Sequence, residues 1–389
     1  MKSLLITEIF PPKVGGSGRW FWEVYSRLSR QDYIVAAGND ERATAFDSNH
    51  DLPCVRWPLF LPTWGIISTK GFLGYARLFK LLRSLIKQED IKALHCGRCL
   101  PEGFLGWLAW KWMGIPYLCY VHGEELQYIC KSRELYWLSR LVFSGARLVI
   151  VNSKNTQRLV NGYRGVVQNR IRLLRPGVDT TYFRSNAQDI VFRAEFGWKN
   201  RLVILTVGRL QKRKGQDYTI LAVKKVKQVI PNVLYAIVGN GEERQYLEGL
   251  VIREGLQQYV RFFGEIDQAN LLACYQQCDL FVLANREVDG DIEGFGMVLV
   301  EAQSCGKPVI AGNSGGTAET MIRNETGLLV DCRYPDLIAE AIIDLLRDTE
   351  KRAVMGNQAV KWVRENFDWE SLIVRAENIF EELSVKVRS

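Results

Sequence analysis

The sequence predicts an α/β protein built from two doubly wound parallel sheets, and two observations carry that expectation. The first is length: 389 residues exceed one ordinary core and fit two domains of about 180 residues each. The second is alternation. Short β-branched runs recur as LLIT, YIVAA, ALHC, YLCYV and LVIVN in the first half, then as LVILTV, LYAIV, VRFF, LFVL and PVIA in the second, with helical periods between them. Strand and helix alternating twice over is the pattern of two parallel sheets with helical crossovers. Two such Rossmann-like domains are expected to face each other across a cleft, with the first over 1–178 and the second over 179–366.

The N-terminal MKSLLITEIFPPKVGG has one Lys and a short apolar run that soon meets Pro11-Pro12, so it reads as a first strand rather than a signal peptide. After it, Pro12-Lys13-Val14-Gly15-Gly16-Ser17-Gly18 leads into a helix at Trp20. Glycine lets backbone N–H groups approach an anion, and a helix N-terminus favours negative charge. The spacing is not that of a dinucleotide or P-loop fingerprint, and a plain tight turn explains the loop equally well. Further on, Gly71 to Lys87 form an amphipathic helix whose Arg77, Lys80, Arg83 and Lys87 make a basic stripe. His95-Cys96-Gly97-Arg98-Cys99 contains a C-x-x-C, but no second pair follows and the chain has three His, which favours packing over metal or redox chemistry. Nine cysteines without framework spacing suit a reducing compartment, hence a cytoplasmic location.

The hinge is placed at Arg175-Pro176-Gly177-Val178-Asp179, after the strand IRLL. The second domain opens with LVILTVGRLQKRKGQD, where a strand runs into Arg209, Lys212, Arg213, Lys214 and Gly215. Cations at the carboxyl end of a first parallel strand sit where such folds bind ligands, and Arg with Lys suits a diphosphate. Val238-Gly239-Asn240-Gly241 and Phe263-Gly264-Glu265 close later strands with glycine. The strand LFVLA then leads through a polar loop to Glu293-Gly294-Phe295-Gly296 and a helix from Met297 to Cys305. Its N-terminus offers N–H donors to a phosphate or sugar oxygen. Glu301, eight residues after Glu293, lies among apolar neighbours and needs donors to offset burial; two vicinal ribose hydroxyls would supply them. A last helix over 367–389 starts near Asp368-Trp369 and could pack on either domain, crossing back to the first.

Charge is uneven. Residues 1 to 180 hold 25 Lys and Arg against 14 Asp and Glu, a balance of +11, while the remainder holds 26 against 29, or −3. The same first half has eight of the eleven Trp, in Arg19-Trp20-Phe21-Trp22 and Trp107 to Trp112 among others. Basic charge with interfacial aromatics points to an anionic membrane surface, and no nucleic-acid partner is expected.

From end to end the chain resembles the retaining GT-B glycosyltransferases of family 4, through Gly15-Gly16, His122-Gly123, Arg209 with Lys214-Gly215, the Glu293 and Glu301 pair, and Ser314-Gly315-Gly316. Its VGRLQKRKGQD and IEGFGMVLVEAQSCGKPVIAGNSGG are most similar to bacterial mannosyltransferases of the phosphatidylinositol mannoside type. The resemblance implies a hexose, mannose favoured, transferred with retention from a nucleotide diphosphate sugar, GDP favoured over UDP, to a hydroxyl of a lipid-linked or glycan acceptor. It also implies roles. Gly15 and Gly16 would touch the donor, His122 would bond the transferred sugar, and Arg209 and Lys214 would neutralise the leaving diphosphate. Glu293 would hold sugar hydroxyls, Phe295, Gly296, Met297 and Val298 would cradle phosphate and sugar, Glu301 would grip the ribose, and Gly264 and Ile266 would lie near the base. Asp289-Gly290-Asp291 has the form of a metal-nucleotide signature from another fold, yet the cations already serve the diphosphate, so no metal or other cofactor is expected. The acceptor should meet the first domain, at loops including Arg98 to Glu102 and Glu124 to Tyr128. Rival readings are another GT-B enzyme, such as a nucleotide-sugar epimerase or a glycoside phosphorylase, and a non-catalytic sugar-nucleotide or membrane binding protein.

Overall fold

The strands of the chain are short, and the central ones are buried along nearly their whole length, which is what parallel sheets covered by helices on both faces require. The computed structural model describes residues 1–13 and 15–383; Val14 of the glycine loop and 384–389 of the expected last helix lie outside the described residues. It falls into two units, one of Met1–Pro176 with the helix Trp369–Glu381, the other of Gly177–Asp368. The break therefore comes between Pro176 and Gly177. Near it, the Val178 N–H donates to the Phe367 carbonyl at 2.8 Å, so both ends of the second unit's chain are tied together.

The first unit holds seven parallel strands: β1 (Ser3–Thr7), β2 (Tyr33–Gly38), β3 (Cys54–Trp57), β4 (Ala93–Cys96), β5 (Tyr117–Val121), β6 (Leu148–Val151) and β7 (Ile171–Leu173), in the order β3-β2-β1-β4-β5-β6-β7. The second holds β8 (Leu202–Val207), β9 (Val233–Val238), β10 (Val260–Gly264), β11 (Leu280–Leu283), β12 (Val309–Gly312) and β13 (Gly327–Val330), in the order β10-β9-β8-β11-β12-β13. Alternate residues serve opposite faces. Thus Ile204, Tyr235 and Val282 join one core of the second sheet, and Leu205, Ala236 and Leu283 the other. In both sheets the strand order reverses beside the first strand, at β1/β4 and at β8/β11, and open sheets of this kind bind ligands at that switch.

Sequence periodicity does not reveal β3 or β13, both four-residue edge strands that are half-buried in part. The amphipathic helix spans Thr69–Gln88, buries Gly71, Tyr75, Leu78, Leu82 and Ile86, and leaves Arg77, Lys80, Arg83 and Lys87 exposed. Of the two Trp-rich stretches, the first packs inward: Trp20 is 1% exposed and Trp22 lies against Phe46. Trp110, Trp112 and Trp137 remain at the surface. All nine cysteines are free thiols, with Cys96 and Cys99 buried. No helix among the described residues is long and apolar enough to cross a membrane.

Candidate active site

At the β8/β11 switch the sequence builds a charged cluster by forcing two loops together. The loop after β8 closes with the turn Lys212–Lys214 and Gly215, whose φ is +76°. A Cβ on Gly215 would come within 1.9 Å of the Ala284 carbonyl oxygen at the end of β11, so only glycine allows this approach. The loop after β11 is pinned in turn. Asn285 donates to the Ser314 carbonyl and accepts the Gly312 N–H, and Arg286 makes a two-bond fork on Asp217 at 2.9 and 2.7 Å. The Gly316 N–H donates to the Glu293 carbonyl, while Gly315, at φ +68°, passes so close to that carbonyl that a Cβ would stand 2.0 Å away.

These constraints deliver Glu293, 8% exposed, to two cations. Its Oε2 accepts from Lys214 Nζ at 2.5 Å and from Arg213 Nη1 at 2.6 Å. Burial alone would raise the Glu293 pKa, but the charges and hydrogen bonds of Lys214 and Arg213 outweigh it and hold the carboxyl below the usual range. Directly after comes the helix Met297–Ser304, whose N-cap Gly296, at φ +94°, brings no side-chain acceptor to the first turn. Phe295 is buried and Met297 and Val298 are half-buried at that N-terminus. On the same helix Glu301 is 1% exposed, and its Oε2 accepts from the Tyr275 hydroxyl at 2.6 Å. Gly264 ends β10 at φ +68°, and Ile266 packs beside the second sheet's core.

Arg209 is not brought to this cluster. Its side chain is 67% exposed and its Nε pairs with Glu242 at 3.2 Å, which also accepts from Gln211. Nor does Asp289-Gly290-Asp291 form a ligand set. Asp289 and Gly290 both have positive φ, 52° and 84°, and Val288 and Asp291 exchange backbone hydrogen bonds at 3.1 and 2.8 Å, which is a two-residue hairpin turn. Asp291 pairs with Arg213 Nε at 3.1 Å.

In the first unit, carboxylates hold backbone at the ends of β1 and β5. Glu125 accepts the N–H groups of His122 and Gly123, each at 2.9 Å. His122 Nε2 lies 2.8 Å from the Gly97 carbonyl, which can only accept, so Nε2 carries the hydrogen. Trp20 and Phe21 set edge-to-face against the imidazole, each with centroids 5.7 Å away. Glu102, wholly buried, accepts the Glu8 N–H at 2.9 Å at the start of the glycine loop, and Arg98 stands between Glu8 and Glu102 at 3.8 and 3.6 Å. Burial pushes the Glu102 carboxyl up, and Arg98 offsets this only in part. Gly15 precedes the helix Gly16–Tyr25, which starts four residues before Trp20. A Cβ on Gly16 would meet open space, whereas one on Gly15 would press on Ile9. Sequence reasoning missed the parts played by Tyr275, Glu102, Glu125 and Asp291. A buried carboxylate just after a strand end is the signal that could have found Glu102 and Glu125.

Comparison with known proteins gives two consecutive family matches: residues 14–182 to the family described as Glycosyltransferase Family 4, and residues 189–362 to Glycosyl transferases group 1. The chain is 30% identical over 384 residues to a GDP-mannose-dependent alpha-(1-6)-phosphatidylinositol monomannoside mannosyltransferase of Mycobacterium tuberculosis (strain CDC 1551 / Oshkosh), covering 96% of each chain. A Corynebacterium glutamicum protein, a GDP-mannose-dependent monoacylated alpha-(1-6)-phosphatidylinositol monomannoside mannosyltransferase, is 28% identical with 98% of each covered. Among solved structures, Anabaena Alr3699/HepE in complex with UDP-glucose superposes with a TM-score of 0.82 at 22% identity, over 99% of this chain and 100% of that one, a likeness of fold.

Proposed function

The chain belongs to the group 1 and family 4 glycosyltransferases, and on that premise we propose that it moves a hexose, mannose favoured, from a nucleotide diphosphate sugar to a hydroxyl of a lipid-linked or glycan acceptor, with retention and without a metal. The observation that carries the proposal is Lys214 on Glu293 at the β8/β11 switch, immediately before the uncapped N-terminus of the helix Met297–Ser304. Breaking a glycosyl phosphate bond leaves negative charge on the diphosphate and develops positive charge on the sugar. Lys214 and the helix N-terminus answer the first, and Glu293 answers the sugar, preorganised charge of a kind that lowers barriers by several kcal/mol, on the order of 3. Glu301 takes the ribose hydroxyls, Gly264 and Ile266 flank the base, and His122 bonds the transferred sugar. Arg209 leaves Glu242 for the diphosphate when donor binds; both partners are well exposed, so the existing pair opposes this weakly. The GDP preference is proposed by analogy with relatives whose names call them GDP-mannose-dependent.

The proposal includes peripheral attachment at an anionic, cytoplasm-facing membrane. Phe72 and Leu73, 61% and 65% exposed, stand on the same helix as the exposed Arg77, Lys80 and Arg83.

A melt and calorimetric screen against GDP, UDP, ADP and their sugar conjugates tests the donor: a ligand at a hundredfold excess over Kd stabilises by about 2.7 kcal/mol. Preferential stabilisation by GDP and GDP-mannose supports the reading. No stabilisation by any of them moves the chain to the non-catalytic rival, and product formed without acceptor moves it to the epimerase rival. An inverted anomer by NMR refutes retention, and loss of activity in excess EDTA refutes metal independence.

A further inference from the structure

We infer that Arg213 is a positioning residue: it keeps the Glu293 carboxylate paired and oriented when a donor diphosphate draws Lys214 away, and Asp291 holds Arg213 in place for that task. The inference rests on the donor reading above. It starts from an imbalance in the cluster, where one carboxylate oxygen, Glu293 Oε2, takes two cations at 2.5 and 2.6 Å. Each cation alone would satisfy it. Glu293 is 8% exposed, and a carboxylate so buried is costly when it loses its only partner. A diphosphate, with more charge than one carboxylate, is the stronger claimant on Lys214, whose ammonium swings on a flexible four-carbon stem.

Arg213 is built differently. Its Nη1 donates to Glu293 Oε2, its Nε lies 3.1 Å from Asp291 Oδ2 in an ion pair that lacks hydrogen-bond alignment, and its carbonyl accepts the Arg286 N–H at 2.9 Å. Side chain and backbone are both fixed from the β11 loop. Of the three consecutive cations Lys212, Arg213 and Lys214, Lys212 is exposed and the other two turn in, each side chain 12% exposed. Asp291 owes its place to the Asp289-Gly290 turn, so the stretch that resembles a metal signature serves instead to aim an arginine. With Lys214 on phosphate, Arg213 remains the counter-charge that leaves Glu293 ionised and its outer lone pairs turned to the sugar.

The test combines steady-state transfer kinetics with calorimetric binding of GDP and UDP on the full chain, for the wild type, Arg213→Gln, Arg213→Lys and Asp291→Asn. Arg213→Gln should lower kcat by about tenfold to a hundredfold. Affinity for the nucleoside diphosphate should stay within about twofold, and Arg213→Lys should recover most of the rate. Asp291→Asn, at a side chain 47% exposed, should lower kcat by about threefold with unchanged binding. Diphosphate affinity falling in step with kcat would overturn the inference, because Arg213 would then be a phosphate ligand. Wild-type kinetics in Arg213→Gln would overturn it too, and should that variant not fold, wild-type kcat in Asp291→Asn does the same. A wild type that binds neither diphosphate and transfers nothing removes the donor reading and the inference with it, whereas an active wild type matched by its variants removes the inference alone.

Discussion

In the second domain the buried carboxylate Glu293 faces two cations, Lys214 and Arg213, whereas in the first the buried Glu102 and Glu125 face chiefly backbone N–H groups, those of Glu8, His122 and Gly123. The difference separates two uses of charge. On the proposed donor reading the charges around Glu293 are exchangeable, since a ligand phosphate would replace Glu293 as the partner of Lys214. Around Glu102 and Glu125 they are structural, since an N–H donated to a carboxylate is not available to a ligand. Substrate charge should therefore be read in the second domain and loop geometry in the first.

The largest expected effect is at Lys214. Lys214→Ala should reduce turnover by about a hundredfold to a thousandfold, with weaker diphosphate binding, and transfer kinetics measure it. Near-wild-type turnover would break the contrast at its strongest point. Next, Glu301→Ala should weaken nucleotide binding by about tenfold to a hundredfold in calorimetry, because the nucleotide loses its partner and the Tyr275 hydroxyl is left buried. Glu125→Gln probes the other domain: it removes one of two carboxylate acceptors behind His122, and kcat should fall by about tenfold with nucleotide binding unchanged. A parallel loss of nucleotide binding would erase the distinction.

Stability against pH sharpens the same comparison with smaller effects. The Glu293 carboxyl titrates below its unfolded value, so its ionised form adds stability that is fully present above the unfolded pKa of about 4.3 and is lost as pH falls through the folded value. Glu102 is shifted the other way. Its charged form opposes folding at neutral pH, so that penalty is relieved as pH falls through its raised folded value towards about 4.3. Melts of Glu293→Gln and Glu102→Gln should thus differ from the wild type with opposite slopes in acid; slopes of one sign would show that the two sites are alike. The membrane surface lies outside this comparison: replacing Arg77, Lys80 and Arg83 together should cut binding to anionic vesicles by roughly 1 kcal/mol per cation in co-sedimentation, with folding untouched.

Much of this was legible in the sequence because it depends on local pattern. Alternating strands and helices gave the two sheets, and the cation run with Glu293 gave the residues that the second domain brings together as the Lys214 and Glu293 pair. The parts that were not legible depend on which loops meet. Arg209 and Lys214 are five residues apart, yet the tight turn at Gly215 sends one side chain inward and leaves the other at the surface with Glu242. Asp289-Gly290-Asp291 has the spacing of a metal motif, and only the structure shows that the positive φ of Asp289 and Gly290 makes it a hairpin turn that carries Asp291 to Arg213. Tyr275 meets Glu301 across 26 residues, and Glu102 meets Glu8 across 94, separations at which no local period carries information. Trp20 looked interfacial beside Arg19, but it lies on the buried side of its helix.

The most direct test is a calorimetric titration of the wild type and Lys214→Ala with GDP, UDP and their monophosphates. The account predicts that one diphosphate binds the wild type at least about tenfold more tightly than its monophosphate, a difference of about 1.4 kcal/mol, and that Lys214→Ala loses most of that advantage. Equal affinity for diphosphate and monophosphate, or an advantage that survives the loss of Lys214, would contradict it.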